Sequence, residues 1–198
     1  MFKYLLLAFF WTFFFALHSL LANSKVKLLA KNLFRNHYKY YRIGFNLISI
    51  LFFLLIILFQ FSIEKIFLFT PQYFFYLLGA IIFIGGLIAM YYAFKAFNTK
   101  EFIGVQQLQE INKSKEVMHL TKTDFYGLVR HPLYFATILL ILGAFIALPT
   151  LANAIFLLAV FTYLPVGIYL EEKKLIMEFG DEYKQYQKEV KAVVPFLF

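Results

Sequence analysis

Asp124-Phe125-Tyr126-Gly127-Leu128-Val129-Arg130-His131-Pro132-Leu133-Tyr134 is the stretch on which the reading of this chain turns. Pro132 fixes its own φ and drives His131 toward extended backbone, so a helix starts at the proline and does not run through the residues before it. The first N–H groups of that helix lack intrahelical partners and carry the positive end of its dipole, and Arg130 stands beside them. The stretch reads as an anion site at the mouth of an apolar run. An arginine and a histidine that only anchor a transmembrane helix at the interface would have the same local sequence, so the flanking chain must decide.

Downstream, the apolar run predicts a helix over 132–148, an uncharged turn at Pro149-Thr150, and a returning helix over 151–170. Glu171 and Glu172 follow where that helix leaves the membrane, beside a C-terminal dipole end that disfavours negative charge. Lys173 and Lys174 would offset them in solvent. Residues 171–195 are charged but patterned: Glu172, Leu175, Ile176, Phe179, Tyr183, Tyr186 and Val190 form one stripe at helical spacing, interrupted at Gly180. Glu172 therefore faces the bundle and Glu171 is rotated about 100° away. A buried carboxylate calls for a cationic partner.

Upstream, further spans are predicted over 4–21, 43–63 and 73–94. The first begins like a secretory signal but lacks a small-residue cleavage site and runs straight into a basic loop, so it stays as a helix. His18 and Ser19 interrupt it near its end, and an intramembrane histidine is either a functional group or satisfied by a neighbouring helix. Between 23 and 42 lie Lys25, Lys27, Lys31, Arg35, Lys39 and Arg42 with no acid, which makes this loop cytoplasmic. Asn46 needs a partner inside the bundle, and Gly79, Gly85 and Gly86 would let another helix approach closely. The polar segment from Lys95 to Arg130 is too long for a mere connector in so small a bundle.

Composition agrees. The 198 residues are 62% hydrophobic, with 28 Phe, 14 Tyr and one Trp, and the mean hydropathy is +0.73. The fold class is all-α, a polytopic membrane helix bundle of about five transmembrane helices with a cytoplasmic C-terminal amphipathic helix. The absence of cysteine excludes disulfides, a thiolate nucleophile and thiolate metal sites. The net charge of +8 sits in loops between spans and is read as topology signal and contact with membrane lipid, with no nucleic-acid partner. Alternating loops place the N-terminus outside and the C-terminus in the cytoplasm, and bring His18, Arg42, Asn46, the Arg130-His131-Pro132 stretch and the two glutamates to the cytoplasmic ends of their helices.

Three blocks now carry a resemblance: Tyr126 with Arg130-His131-Pro132-Leu133-Tyr134; Glu171-Glu172-Lys173-Lys174-Leu175; and Phe179-Gly180-Asp181-Glu182-Tyr183 with Tyr186, ending near Pro195. In order and spacing they resemble the C-terminal half of the isoprenylcysteine carboxyl methyltransferase family, membrane enzymes that use S-adenosylmethionine. His18-Ser19, Tyr41-Arg42 with Asn46, and the 102–107 block Phe-Ile-Gly-Val-Gln-Gln are similar to the methanethiol S-methyltransferase-like branch. The resemblance implies a single integral membrane domain over 1–198, with a three-helix part at 1–94 and a cofactor-binding part at 95–198. It implies that Tyr126, Arg130, His131, Pro132 and Tyr134 build one wall of an S-adenosylmethionine pocket and Glu171 and Glu172 another, with Tyr183 and Tyr186 closing over it. Glu172 is assigned to a hydroxyl or ammonium group of the cofactor, and Arg130 or His131 to its carboxylate. Relatives often carry an arginine near the end, where this chain has Lys188-Glu189-Val190-Lys191.

Methyl transfer from a sulfonium is an in-line displacement that needs alignment and exclusion of water. A carboxylate acceptor is ready as it stands; a thiol needs a base, and His18 or His131 supplies the candidate. The acceptor is expected to be a lipophilic or small carboxylate or thiol, or another lipid. Two other readings stand beside this one: a haem-binding or redox membrane protein similar to carotene isomerase relatives, ligated by His18 with His119 or His131, and a structural membrane protein whose polar cluster only fixes helix packing.

Overall fold

The computed structural model describes residues 1–95 and 120–194. The 102–107 block, His119, Pro195 and most of the polar segment after Lys95 lie outside the described residues. What is described is all-α, in two compact units: residues 1–64, and residues 65–95 with 120–194.

In the first unit, α1 (Phe2–Ala22) is an apolar helix of 21 residues, about 31 Å long and so able to cross a bilayer. It stops at Asn23, whose extended backbone breaks the helix and whose side chain accepts from Lys25 N at 2.8 Å, capping the next one. That helix, α2 (Ser24–Phe34), falls where the sequence reading places a polar loop. Arg35, at φ 43°, ends it; a 3-10 turn over Arg35–Tyr40 leads into α3 (Tyr41–Ser62). α1 and α3 pack through aromatic rings: Trp11 is fully buried, meets Phe53 edge-on at 5.6 Å, and donates from Nε1 to Gln60 Oε1 at 3.0 Å. A buried glutamine opposite the one indole satisfies both polar groups. Their outer faces, with Leu5, Phe9, Leu47 and Leu54 exposed, suit lipid rather than water.

In the second unit, α4 (Tyr73–Lys95) packs on α5 (Pro132–Ala147) with almost no side chains between them. A Cβ on Gly79 would stand 2.5 Å from Ala147 N, one on Gly143 2.6 Å from Phe83 N, and one on Gly86 2.8 Å from Leu140 N. Small residues permit this backbone approach, as expected for Gly79 and Gly86; Gly85 instead faces open space. α6 (Leu151–Phe179) runs unbroken for 29 residues through Pro165, about 43 Å, longer than a hydrocarbon core. Residues 151–170 suffice to span, and 171–179 extend beyond it where the sequence reading began a separate helix. Gly180, at φ 59°, makes the break before α7 (Asp181–Glu189).

The connector after α3 and the α5–α6 turn meet at one end of this unit. Leu68 N donates to Pro149 O at 2.9 Å and Leu151 N to Ile66 O at 2.8 Å. Phe67 and Thr150 form an antiparallel bridge there. Among the described residues, four stretches are long and apolar enough to cross a membrane, and α5, at 16 residues, is a shorter apolar helix. This is the architecture of a multi-pass membrane protein.

Candidate functional site

α5 begins at Pro132, as the sequence predicts, with His131 at φ −124° before it. What fixes the preceding residues is the C-terminal tail. Val129 bridges Lys191 in parallel, Arg130 N donates to Lys191 O at 2.8 Å, and His131 N donates to Ala192 O at 2.9 Å. Val129, Ala192 and Val193 are buried along this seam. The tail thus satisfies main-chain donors that no helix reaches.

The seam aims Arg130 and His131 at α6. Arg130 donates to Glu172 Oε1 from Nε at 2.8 Å and from Nη2 at 2.6 Å, while Nη1 donates to the carbonyls of Gln187, at 3.1 Å, and Val190. His131 Nε2 lies 3.2 Å from the same Oε1, and Gln187 Nε2 donates to Oε2 at 2.9 Å. On its other side, His131 Nδ1 lies 3.7 Å from Glu171 Oε2. The buried imidazole stands between two carboxylates, within hydrogen-bond distance of Glu172 and at ion-pair distance from Glu171.

Burial pushes the Glu172 carboxyl up, but hydrogen bonds from His131 and Arg130 and their charges outweigh it and hold the group at about 2, from an ordinary value of 4.5. Glu172 is thus the anionic centre of a network already formed within the protein. Glu171 differs. Its side chain is 43% exposed against 17% for Glu172, and it has the Tyr134 hydroxyl and His131 beside it. Glu171 is rotated from Glu172 on the helix, and the imidazole of His131 lies between the two carboxylates.

Tyr183 and Tyr186 are buried on α7, their rings 5.8 Å apart, in line with the predicted stripe; Leu175, Ile176 and Phe179 point inward too, while Lys173, Lys174 and Glu178 are exposed. The Tyr183 hydroxyl comes within 3.5 Å of Glu172 Oε1, and Tyr186 donates to the Tyr126 carbonyl. Burial raises the Tyr126 phenol, with Glu171 and Tyr186 adding to it, and raises Tyr183 with Glu172 adding. Burial also pushes Tyr186 up to about 12 against the opposing charge of Arg130. All three phenols stay neutral near pH 7. Tyr134 packs its ring 5.5 Å from that of His131 and its hydroxyl against Gly167.

His18 belongs to the first unit, where Nδ1 lies 3.3 Å from Ser49 Oγ and the ring leans on Phe45 at 4.9 Å. The partner the sequence reading sought for it in a helix carbonyl is a serine hydroxyl on the adjacent helix. Gln187 and the tail carbonyls were not singled out in the sequence. Their partners lie about 60 positions away for Arg130 and the tail, and nothing in a local pattern marks them.

The phospholipid methyltransferase family matches residues 74–182, which include α4, the Arg130-His131 stretch and both glutamates. The chain belongs to this family. It is 37% identical over 101 residues to methanethiol S-methyltransferase of Pseudomonas deceptionensis, covering 49% of this chain and 37% of that protein. It is 36% identical over 103 residues to methanethiol S-methyltransferase 1 of Bradyrhizobium diazoefficiens, covering 50% and 35%. To protein-S-isoprenylcysteine O-methyltransferase of Schizosaccharomyces pombe it is 35% identical over 81 residues, covering 40% and 34%. The matched part thus spans little more than a third of the length of these relatives. No solved structure matches the chain. The haem reading finds no support among these relatives, all of which are named as methyltransferases.

Proposed function

We propose that the chain is an integral membrane methyltransferase that takes its methyl group from S-adenosylmethionine and passes it to a thiol, small or lipophilic. The observation that carries this reading is that the family match encloses the whole charged cluster, from Arg130 and His131 to Glu171 and Glu172. Relatives named methanethiol S-methyltransferase favour sulfur over a carboxylate as acceptor. The charged end of the second unit then faces the cytoplasm.

The residues fit such a cofactor, and they fit it unequally. Glu172 Oε1 already receives two guanidinium N–H groups and faces His131, and Oε2 receives Gln187. Arg130 is engaged at each of its three nitrogens. Glu172 is therefore the residue that positions Arg130 and His131, and the half-exposed Glu171 carries the negative charge open to a ligand's ammonium or sulfonium. Tyr126 and Tyr134 flank it. S-adenosylmethionine supplies a methyl group already activated on sulfur. A thiol acceptor must shed a proton; His131 remains a candidate base only if an acceptor displaces the Glu171 carboxylate from beside Nδ1, since Nε2 is turned to Glu172.

The test is calorimetric titration of the purified protein in detergent with S-adenosylmethionine, followed by labelled methyl transfer to methanethiol and to a prenylated cysteine. Glu171→Gln should abolish binding while leaving the thermal midpoint unchanged. Glu172→Gln should lower both. Methyl transfer confined to the prenylcysteine carboxylate would replace the thiol as acceptor, and no binding by folded wild type would overturn the enzyme reading.

A further inference from the structure

α2 has no place in the chemistry just described, yet its surface is strongly two-sided. Val26, Leu29, Ala30 and Leu33 recur at helical spacing on one face, while Ser24, Lys27 and Lys31 lie on the other, where Leu28, 60% exposed, is the one apolar side chain. Ala30 is buried, but Leu29 and Leu33 are 67% and 76% exposed, and Phe34 beyond them is exposed as well. Among the described residues, nothing covers this leucine edge. The segment 23–42 carries six lysines and arginines and no acid. Lys25, Lys31 and Arg35 are exposed.

Position supplies the rest. α2 is joined to α1 through Asn23 alone and to α3 through one 3-10 turn. Two apolar helices of 21 and 22 residues flank it, so both its ends leave hydrocarbon and it must lie at the boundary with water. In that plane the leucine edge enters the acyl region and the lysine stems reach up to the headgroups. With a uniform positive charge, the headgroups that complement it are anionic. We propose that α2 is an in-plane amphipathic helix that docks on anionic phospholipid of the leaflet where the 23–42 segment emerges. This stands independently of the methyltransferase reading.

The experiment places the full chain in nanodiscs of phosphatidylcholine alone and of phosphatidylcholine with phosphatidylglycerol, and follows amide hydrogen exchange across residues 24–34. The anionic lipid should slow exchange by about tenfold, and high salt or the variant Lys25→Gln/Lys31→Gln should erase that gain. Leu29→Ser/Leu33→Ser should expose the helix in both kinds of disc. Equal protection with and without phosphatidylglycerol would overturn the proposal, leaving apolar contact only. Equally fast exchange in both discs would overturn it too, and assign the leucine edge to another partner.

Discussion

The two ends of the second unit are built on the same helices and held by different forces. At one end, residues 66–68 and 148–151 are joined by main-chain hydrogen bonds, the cap from Thr150, and the Asn153 amide donating to Leu148 O at 2.8 Å. At the other, a guanidinium, an imidazole and two carboxylates are packed within a few ångströms and fastened by the C-terminal tail. The first end needs only to turn the chain. The second holds ionised groups in a partly buried place, and each charge there depends on another.

That dependence sets the largest expected effect. Arg130→Ala would leave Glu172, 17% exposed, without its bidentate partner, and would free the carbonyls of Gln187 and Val190. Breaking one side of such a pair costs about 3–5 kcal/mol, and the thermal midpoint in detergent reads it. Arg130→Lys should recover little, since one ammonium cannot reach Oε1 of Glu172 and the carbonyls of Gln187 and Val190 together. Acid probes the same contact without mutation. A carboxyl held below its ordinary value contributes stability that is complete above 4.5 and is lost as pH falls toward about 2. The midpoint should fall across that window in wild type, and Glu172→Gln should flatten the fall. Wild type with no slope there would mean that Glu172 is not ionised in the network.

How far the sequence reaches differs between these ends and between elements. The start of α5 is legible because proline dictates it locally, and the inward stripe from Leu175 to Val190 is legible because its period survives the break at Gly180. The charged cluster is legible as a set of residues but not as a set of bonds. A ligand was expected between Arg130 and Glu172, whereas the two meet directly, since proximity in space of residues 42 apart leaves no local trace. α2 was hidden for another reason: the six positive charges spread over 23–42 read as loop, although the i, i+3, i+4, i+7 spacing of Val26, Leu29, Ala30 and Leu33 was there to be counted. Gln187 and the main-chain acceptors of the tail lie beyond the matched family region, and no local pattern marks them as partners of Arg130.

Between the two ends, the glycine contacts of α4 and α5 should give effects of intermediate size. Gly79→Ala and Gly143→Ala each drive a methyl group into facing backbone, at 2.5 and 2.6 Å, and neither backbone can yield without separating the helices. A loss of about 1–3 kcal/mol is expected from each, read as a lowered midpoint. Gly85→Ala meets nothing within 4 Å and should gain up to about 1 kcal/mol from helix propensity alone. If all three variants lost stability equally, the close approach of α4 and α5 would be wrong.

The smallest effect belongs to the uncharged end and is the sharpest test of the contrast. Thr150 accepts from Asn153 N at 3.2 Å as the N-cap of α6, so Thr150→Ala should cost about 1 kcal/mol. It should leave affinity for S-adenosylmethionine unchanged, because the cap lies more than 20 residues, about 30 Å of helix, from Glu171. A matching fall in affinity would show that fraying at one end of α6 travels to the glutamates at the other. The uncharged end would then be part of how the site is held, and the division between scaffold and chemistry within this unit would fail.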